Sequence, residues 1–305
     1  MVPRSEPEVS EEVARALADG APVVALESTI LAHGLPRPTN LEVGRRLEAL
    51  VRSRGAVPAT IALLDGRVRI GLDEAALERI CTSEHVVKAS VRDLALAVAT
   101  GTDAATTVAS TAWLAHRAGI RVFATGGLGG VHREATTTFD ESADLTVLAE
   151  VPILVVCAGA KSVLDVPATL ERLETLGVAV VGWRTSRFPG FYVTDGGLDL
   201  AWRADDAATV ARARRAADGL GVARAIVVAN PVDPARQLDP ALHDRALVES
   251  LAAAAEEGVS GRDVTPFLLE RMERSTAGAS LAANVAAVEG NVALASDLAV
   301  ALASG

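Results

Sequence analysis

The sequence predicts an α/β protein, a three-layer α/β/α sandwich around a central, mostly parallel mixed sheet with a small β-hairpin. Three observations carry this. Short apolar β-prone runs alternate with helical stretches of amphipathic spacing along most of the chain, the pattern of strands joined by crossover helices. The runs at 22–26, 153–157 and 225–229 are apolar along their length, as parallel strands covered on both faces are. Asp65-Gly66 lies between β-prone runs at 59–64 and 67–70 and suits a type I′ turn, which adds an antiparallel pair.

In chain order, periodicity predicts a helix over 9–19 closed by Gly20, then the strand 22–26 stopping at Glu27-Ser28-Thr29. Residues 33–40 read as a loop, with Asn40 capping a helix over 41–53. After the hairpin come a short helix at 73–80, a β-prone run at 86–90 and a helix at 92–99. Residues 106–118 are helical with a Ser/Thr-rich start. A strand at 122–125 enters the glycine loop 126–130, and 144–148 fits either helix or strand. The strand 153–157 ends in Ala158-Gly159-Ala160-Lys161-Ser162. A helix at 168–176 closed by Gly177, a strand at 178–181, a helix at 207–217 and a strand at 225–229 continue the alternation. Residues 240–257, 265–275 and 279–303 are helical. With no repeat or long linker, residues 23–305 are expected to form one catalytic domain behind a helical lead-in, 1–22.

Of 305 residues, 29 are basic and 39 acidic, a formal net charge of −10. That balance argues against nucleic acid or an anionic membrane as the main partner, so an anionic substrate must be met by a few local groups. Two cysteines, Cys81 and Cys157, are too few for a disulfide framework or a closed zinc site and read as core thiols. The N-terminal stretch lacks the apolar core of a secretory signal, and the apolar runs near 151–160 and 294–303 fall short of about 20 residues. A cytoplasmic protein is expected.

The glycine loop does not fit a dinucleotide fingerprint, because counting from Gly127 the last required glycine is His132. Residues 158–162 look like the tail of a phosphate-binding P-loop, but Val155 and Ala160 stand where that motif needs glycine. Lys161 follows an apolar strand at the edge where α/β sheets bind ligands, and is either a Schiff-base lysine or a solvated strand end. Glu27 ends the first strand of the domain and is either a general acid/base or an acceptor for nearby backbone N–H groups. Asp140 and Asp144 have i, i+4 spacing, so one helical turn would bring both to one face and offer hard oxygen ligands to Mg²⁺ or Mn²⁺; the alternative is an acidic helix start. Lys88 and the helix start at 106–111 make a candidate phosphate cradle, or an ordinary Ser/Thr cap. Asn284 is an amide within an Ala-rich helix. His33 and His132 have no companion histidine at metal spacing.

Taken together, these segments resemble the pseudouridine-5′-phosphate glycosidase family, also called indigoidine synthase A-like. The residues that carry the resemblance are Ala25-Leu-Glu-Ser-Thr-Ile30 with His33-Gly34, Gly55-Ala-Val-Pro-Ala-Thr-Ile61, Ala105-Thr-Thr-Val-Ala-Ser-Thr111 and Val122-Phe-Ala-Thr-Gly-Gly-Leu-Gly-Gly-Val-His-Arg133, followed by Val155-Val-Cys-Ala-Gly-Ala-Lys-Ser162, Val228-Ala-Asn-Pro231 and Thr265-Pro-Phe-Leu-Leu269. The resemblance implies a homotrimer using a divalent metal, typically Mn²⁺. It implies reversible hydrolysis of pseudouridine 5′-phosphate to uracil and ribose 5-phosphate. Lys161 matches the family's Schiff-base lysine and Glu27 its acid/base. Asp140 matches the metal-site aspartate, and Lys88, Val108, Ser142, Ala143, Asp144 and Asn284 match substrate-contacting positions. Val91, Glu141, Ala277 and Ala279 depart from the family's usual residues. A Schiff-base aldolase or lyase on another sugar phosphate, and a non-catalytic sugar-phosphate sensor, are the competing readings; the sensor would need neither Glu27 nor Lys161.

Overall fold

The computed structural model describes residues 6–259 and 264–304. The first five residues of the expected lead-in lie outside them. β1 (Glu8–Val9) leads into α1 (Glu11–Ala18), capped by Ser10, whose hydroxyl accepts from the Val13 N–H. β2 (Val23–Leu26), a short α2 (Thr29–His33) and α3 (Thr39–Ser53) follow. β3 (Val57–Leu64) and β4 (Arg67–Ile70) form the expected hairpin, with Asp65 at φ 50° and Gly66 at φ 71°, as a type I′ turn requires. Next come α4 (Glu74–Thr82), β5 (Val87–Ala89), α5 (Val91–Thr100), β6 (Ala104–Thr106), α6 (Val108–Arg117) and β7 (Val122–Ala124). α7 (Ala135–Thr138), α8 (Ala143–Leu148), β8 (Leu154–Cys157), α9 (Val166–Thr175) and β9 (Ala179–Trp183) continue the chain. The last third holds β10 (Arg187–Phe188), β11 (Leu198–Asp199), β12 (Trp202–Ala204), α10 (Ala207–Gly219), β13 (Ile226–Ala229), α11 (Pro240–Glu256), α12 (Val264–Ser275) and α13 (Ala279–Ala303).

The main sheet runs β1-β4-β3-β2-β7-β8-β13-β9-β12, with β6 on β3 and β5 on β6. From β3 to β12 every pair along this path is parallel; only β4 and β6 run antiparallel to β3. Successive side chains on a strand face opposite ways, so each central strand feeds two cores. Ala25, Phe123, Val155 and Val227 pack with α1, α5, α6, α8 and α9 on one face. Val24, Leu26, Ala124, Val156 and Val228 pack with α3, α4, α10 and α13 on the other. This is the expected three-layer α/β/α architecture. A third cluster joins α11, α12 and the first half of α13 to Phe191, Tyr192 and the stretch after β8.

Several local expectations change. Val9 pairs with Ile70 as a strand residue and Ser10 starts the helix behind it. Asn40 lies in the first turn of α3, where its buried Nδ2 donates to the Leu31 and Cys81 carbonyls and so ties α2 and α4 to α3. Residues 29–33 form a helix, and 104–106 a strand paired with β3 and β5. α13 is long and apolar enough by composition to cross a membrane, but 67% of its most apolar window is buried in this molecule. It is the central helix of one layer. Both cysteines are buried, and desolvation pushes their thiols up, to about 11 for Cys81 and about 12 for Cys157, as expected of core thiols.

Two family departures have local consequences. Glu141 accepts from Arg172 Nε at 2.9 Å, tying the stretch before α8 to α9. Ala277 sits at φ 49° in the turn between α12 and α13. A Cβ in that left-handed region costs about 1–2 kcal/mol, and a β-branched side chain more. Ala277→Val should therefore lower the melting temperature by several degrees, with Ala277→Gly at or above wild type; calorimetry of the three proteins checks the order.

Candidate active site

Parallel register brings the carboxyl ends of β2, β7, β8 and β13 to one edge of the sheet. The residues just beyond those ends are Glu27, Thr125, Ala158 and Asn230. Glu27 is buried, 8% exposed, and its Oε1 accepts a hydrogen bond from the fully buried Thr125 hydroxyl. Burial pushes its carboxyl pKa above the usual range. Lys161, the Thr125 hydroxyl and Lys88 pull it down, while Asp144 adds to the rise. Desolvation wins, so Glu27 holds its proton more firmly than a solvated glutamate while facing a lysine.

Lys161 reaches this place through a zipped pair of loops. Its N–H donates to the Leu128 carbonyl at 3.0 Å, and the Leu128 N–H donates to Gly159 at 2.9 Å. Arg133 donates to the Ser162 and Val163 carbonyls at 3.1 and 3.2 Å. The half-buried Lys161 is thus held by the glycine loop after β7 as well as by its own strand. The glycines of that loop serve close packing. A Cβ on Gly127 would lie 2.5 Å from the Phe191 ring, and one on Gly129 would lie 2.7 Å from Asp144 Oδ2.

Asp140 and Asp144 do not share a helical face. α8 begins only at Ala143, with Ser142 as its cap, so Asp140 lies outside the helix. Asp144 is 5% exposed, and its two oxygens accept from the Ala109 N–H at 2.9 Å and the Gly129 N–H at 2.8 Å. It clamps the start of α6 to the glycine loop. Ser142 Oγ accepts from the Asp144 N–H at 3.2 Å, and Ala143 opens the helix beside it. The Asp140 side chain is 38% exposed, with Oδ2 3.9 Å from His132 Nδ1. Among the described residues no group of three His, Cys, Asp or Glu side chains could enclose a metal.

The proposed cradle also changes. Thr106 and Ser28 donate their hydroxyl protons to the Ile61 carbonyl, Ser110 to Ala89, and Thr111 to Thr106. These hydroxyls hold α6 and α2 to the sheet and are committed. Of the expected cradle, the Val108 amide stands at the first position of α6 and Lys88 lies on β5. Lys88 is exposed to solvent on β5, beside Glu27, Asp144 and Lys161. Desolvation lowers its ammonium pKa, Lys161 adds to that, and Asp144 and Glu27 oppose it. His33, at the end of α2, is likewise lowered by burial and by Lys88 and Arg37.

Asn284 lies on α13 against Gly126, with Oδ1 3.4 Å from where a Gly126 Cβ would be. That oxygen is buried and without a hydrogen-bond partner, as an acceptor awaiting a donor would be. Sequence reasoning missed Thr125, Asn230 and Asn291. The available signals were a hydroxyl ending an apolar strand before a glycine loop, and an asparagine seven residues, or two helical turns, beyond Asn284.

The family model described as indigoidine synthase A like protein matches residues 12–301. A pseudouridine-5′-phosphate glycosidase of Frankia alni is 61% identical over 304 residues, 100% of this chain and 84% of that protein. One from Streptomyces griseus is 61% identical over 98% of this chain and 93% of its own. Among solved structures, the prealnumycin C-glycosynthase AlnA in complex with ribulose 5-phosphate is similar with a TM-score of 0.91. It is 37% identical and covers 99% of this chain and 98% of its own. An indigoidine synthase A-like protein of Thermotoga maritima gives 0.88 and 36%, covering 97% and 96%.

The raised Glu27 pKa has a sign for stability. A carboxyl that is harder to ionise when folded contributes nothing below the unfolded value, 4.5, and destabilises increasingly as pH rises through the folded value. Glu27→Gln should therefore melt like wild type below that pH and above it at neutral pH. Melting curves across the acid-to-neutral range check this, and a constant difference at all pH values would contradict it.

Proposed function

The chain belongs to the indigoidine synthase A-like family, and from that premise we propose that it is a pseudouridine-5′-phosphate glycosidase, a lyase acting reversibly on the C–C bond between ribose C1′ and uracil C5. The observation that carries this reading is the buried Glu27 carboxyl within electrostatic reach of Lys161 at one sheet edge. A C-glycoside has no leaving-group oxygen on the base, so the two-carboxylate route of ordinary glycosidases does not apply. An amine supplies another route. Lys161 Nζ adds to C1′ as the C1′–O4′ bond opens, and O4′ takes a proton from Glu27. The C1′–C5 bond then breaks as C5 takes a proton, leaving uracil and an imine between Lys161 and ribose 5-phosphate. Water hydrolyses the imine, freeing the sugar phosphate and the amine. Glu27 exchanges the protons these steps need.

In the same reading Lys88 and the Val108 amide take the 5′-phosphate, which a protein of net charge −10 would otherwise repel at long range. The unpartnered Oδ1 of Asn284 suits an N–H of the base. The Ser142–Asp144 segment, which joins the glycine loop to α6, is assigned to substrate contact in this reading. Asp140 would hold a divalent cation, Mn²⁺ in this proposal. One half-exposed carboxylate near an imidazole fits a hard ion that keeps most of its own water, not a closed protein cage. When bound, such an ion would supply ordered water and neutralise negative charge on the substrate. A homotrimer and a cytoplasmic setting belong to the same proposal, the first checked by light scattering.

Incubation with pseudouridine 5′-phosphate and Mn²⁺ should release uracil, and exhaustive chelation should stop it. Borohydride during turnover should add a ribose-phosphate mass to the peptide containing Lys161, and Lys161→Ala should abolish both release and adduct. An adduct on another residue would overturn the role of Lys161. A Lys161 adduct with another sugar phosphate, without uracil release, would instead favour a related C–C lyase or synthase. Lys88→Ala should lower kcat/KM for the nucleotide by about ten- to a hundredfold, the size of a lost charge-assisted hydrogen bond, and much less for unphosphorylated pseudouridine. Equal losses on both substrates would show that the phosphate lies elsewhere.

A further inference from the structure

A buried amide chain crosses the carboxyl ends of β7 and β13 and has no part in the chemistry above. Asn291, in the middle of α13 and fully buried, donates from Nδ2 to the Thr125 carbonyl at 2.8 Å and the Gly126 carbonyl at 3.2 Å. Asn230, just beyond β13, donates from its own Nδ2 to Asn291 Oδ1 at 3.0 Å. That bond sets which end of the Asn291 amide meets the two carbonyls. Thr125 is otherwise tied to the sheet by its N–H, which donates to the Val156 carbonyl at 3.0 Å. The side chain between these two backbone anchors carries the hydroxyl that donates to Glu27.

We propose that Asn291 is a positioning residue for Glu27: by holding the Thr125 and Gly126 carbonyls it fixes the backbone from which the Thr125 hydroxyl is aimed at the carboxylate. A hydrogen bond donated to a carboxylate stabilises its ionised form, so its direction decides how readily Glu27 releases a proton. The charged groups facing Glu27 are Lys161 beyond β8, Lys88 on β5 and Asp144 on α8. None belongs to the amide chain. Two neutral amides thus link the proton at Glu27 to the seating of α13, the helix that also carries Asn284.

The inference rests on Glu27 serving as the acid/base of the proposed reaction, so the test reads Glu27 itself. Infrared titration of the full chain without substrate, with the band assigned by its loss in Glu27→Gln, gives the carboxyl midpoint. Thr125→Val removes the donor and should raise the midpoint by about one pH unit, the equivalent of one charge-assisted hydrogen bond. Thr125→Ser should restore it. Asn291→Ser should raise it by a smaller amount and add nothing in the Thr125→Val background. Asn230→Ala, at a half-buried site, should shift it the same way and serves if Asn291→Ser does not fold. An unchanged midpoint in folded Asn291→Ser or Asn230→Ala, or a shift that adds fully to that of Thr125→Val, would overturn the proposal. If the midpoint moves while the pH profile of uracil release does not follow, the positioning stands and the catalytic role of Glu27 falls.

Discussion

One carboxyl kept away from water at the end of a parallel strand sets the terms for the surrounding structure. Glu27 could take an ordinary glutamate's protonation only if solvated, and β2 buries it between β3 and β7 in the middle of the sheet. A lone buried charge is costly, so the site needs a donor and cations near by. The Thr125 hydroxyl supplies the first, and Lys161 and Lys88 the second. Each arrives on a different strand or loop, so the balance exists only when the sheet is in register.

That register has to be transmitted through loops, and the loops are rigid because they are packed, not because they are short. The glycines after β7 let the backbone approach Phe191 and Asp144 within distances that a side chain would prevent. Asp144 closes the arrangement from the other side, accepting one N–H from that loop and one from the start of α6. A carboxylate at a helix N-terminus answers the local dipole, and here it also joins α6 to the glycine loop. The hydroxyls at the start of α6 have the same structural task, which leaves anion recognition to fewer groups than their number suggests.

Much of the fold was legible because its signals are local. Apolar strands fix a sheet covered on both faces, and Asp65-Gly66 fixes a turn with two positive φ angles. Two of the misreadings share a cause, which is that tertiary partners outweighed local preference. Asn40 is a good capping residue, but two carbonyls from other elements claimed its amide. The strand at 104–106 is too short to show a period, and pairing with β3 and β5 creates it. The i, i+4 spacing of Asp140 and Asp144 implied a shared face only if the helix began before Asp140, and Ser142 caps it later.

By itself the sequence determined the layered architecture, the strand ends that carry Glu27 and Lys161, and the family to which those motifs point. These follow from hydrophobic period and short motifs, properties carried by neighbours along the chain. Only the tertiary structure decided that Asp144 is a clamp rather than a partner of Asp140, that the α6 hydroxyls are already bonded, and that Asn291 and Asn230 stand behind Thr125. The physical reason is that a polar group's role depends on which donors and acceptors remain free once the backbone is packed. That accounting is settled between residues distant in sequence, up to 166 positions apart for Asn291 and Thr125.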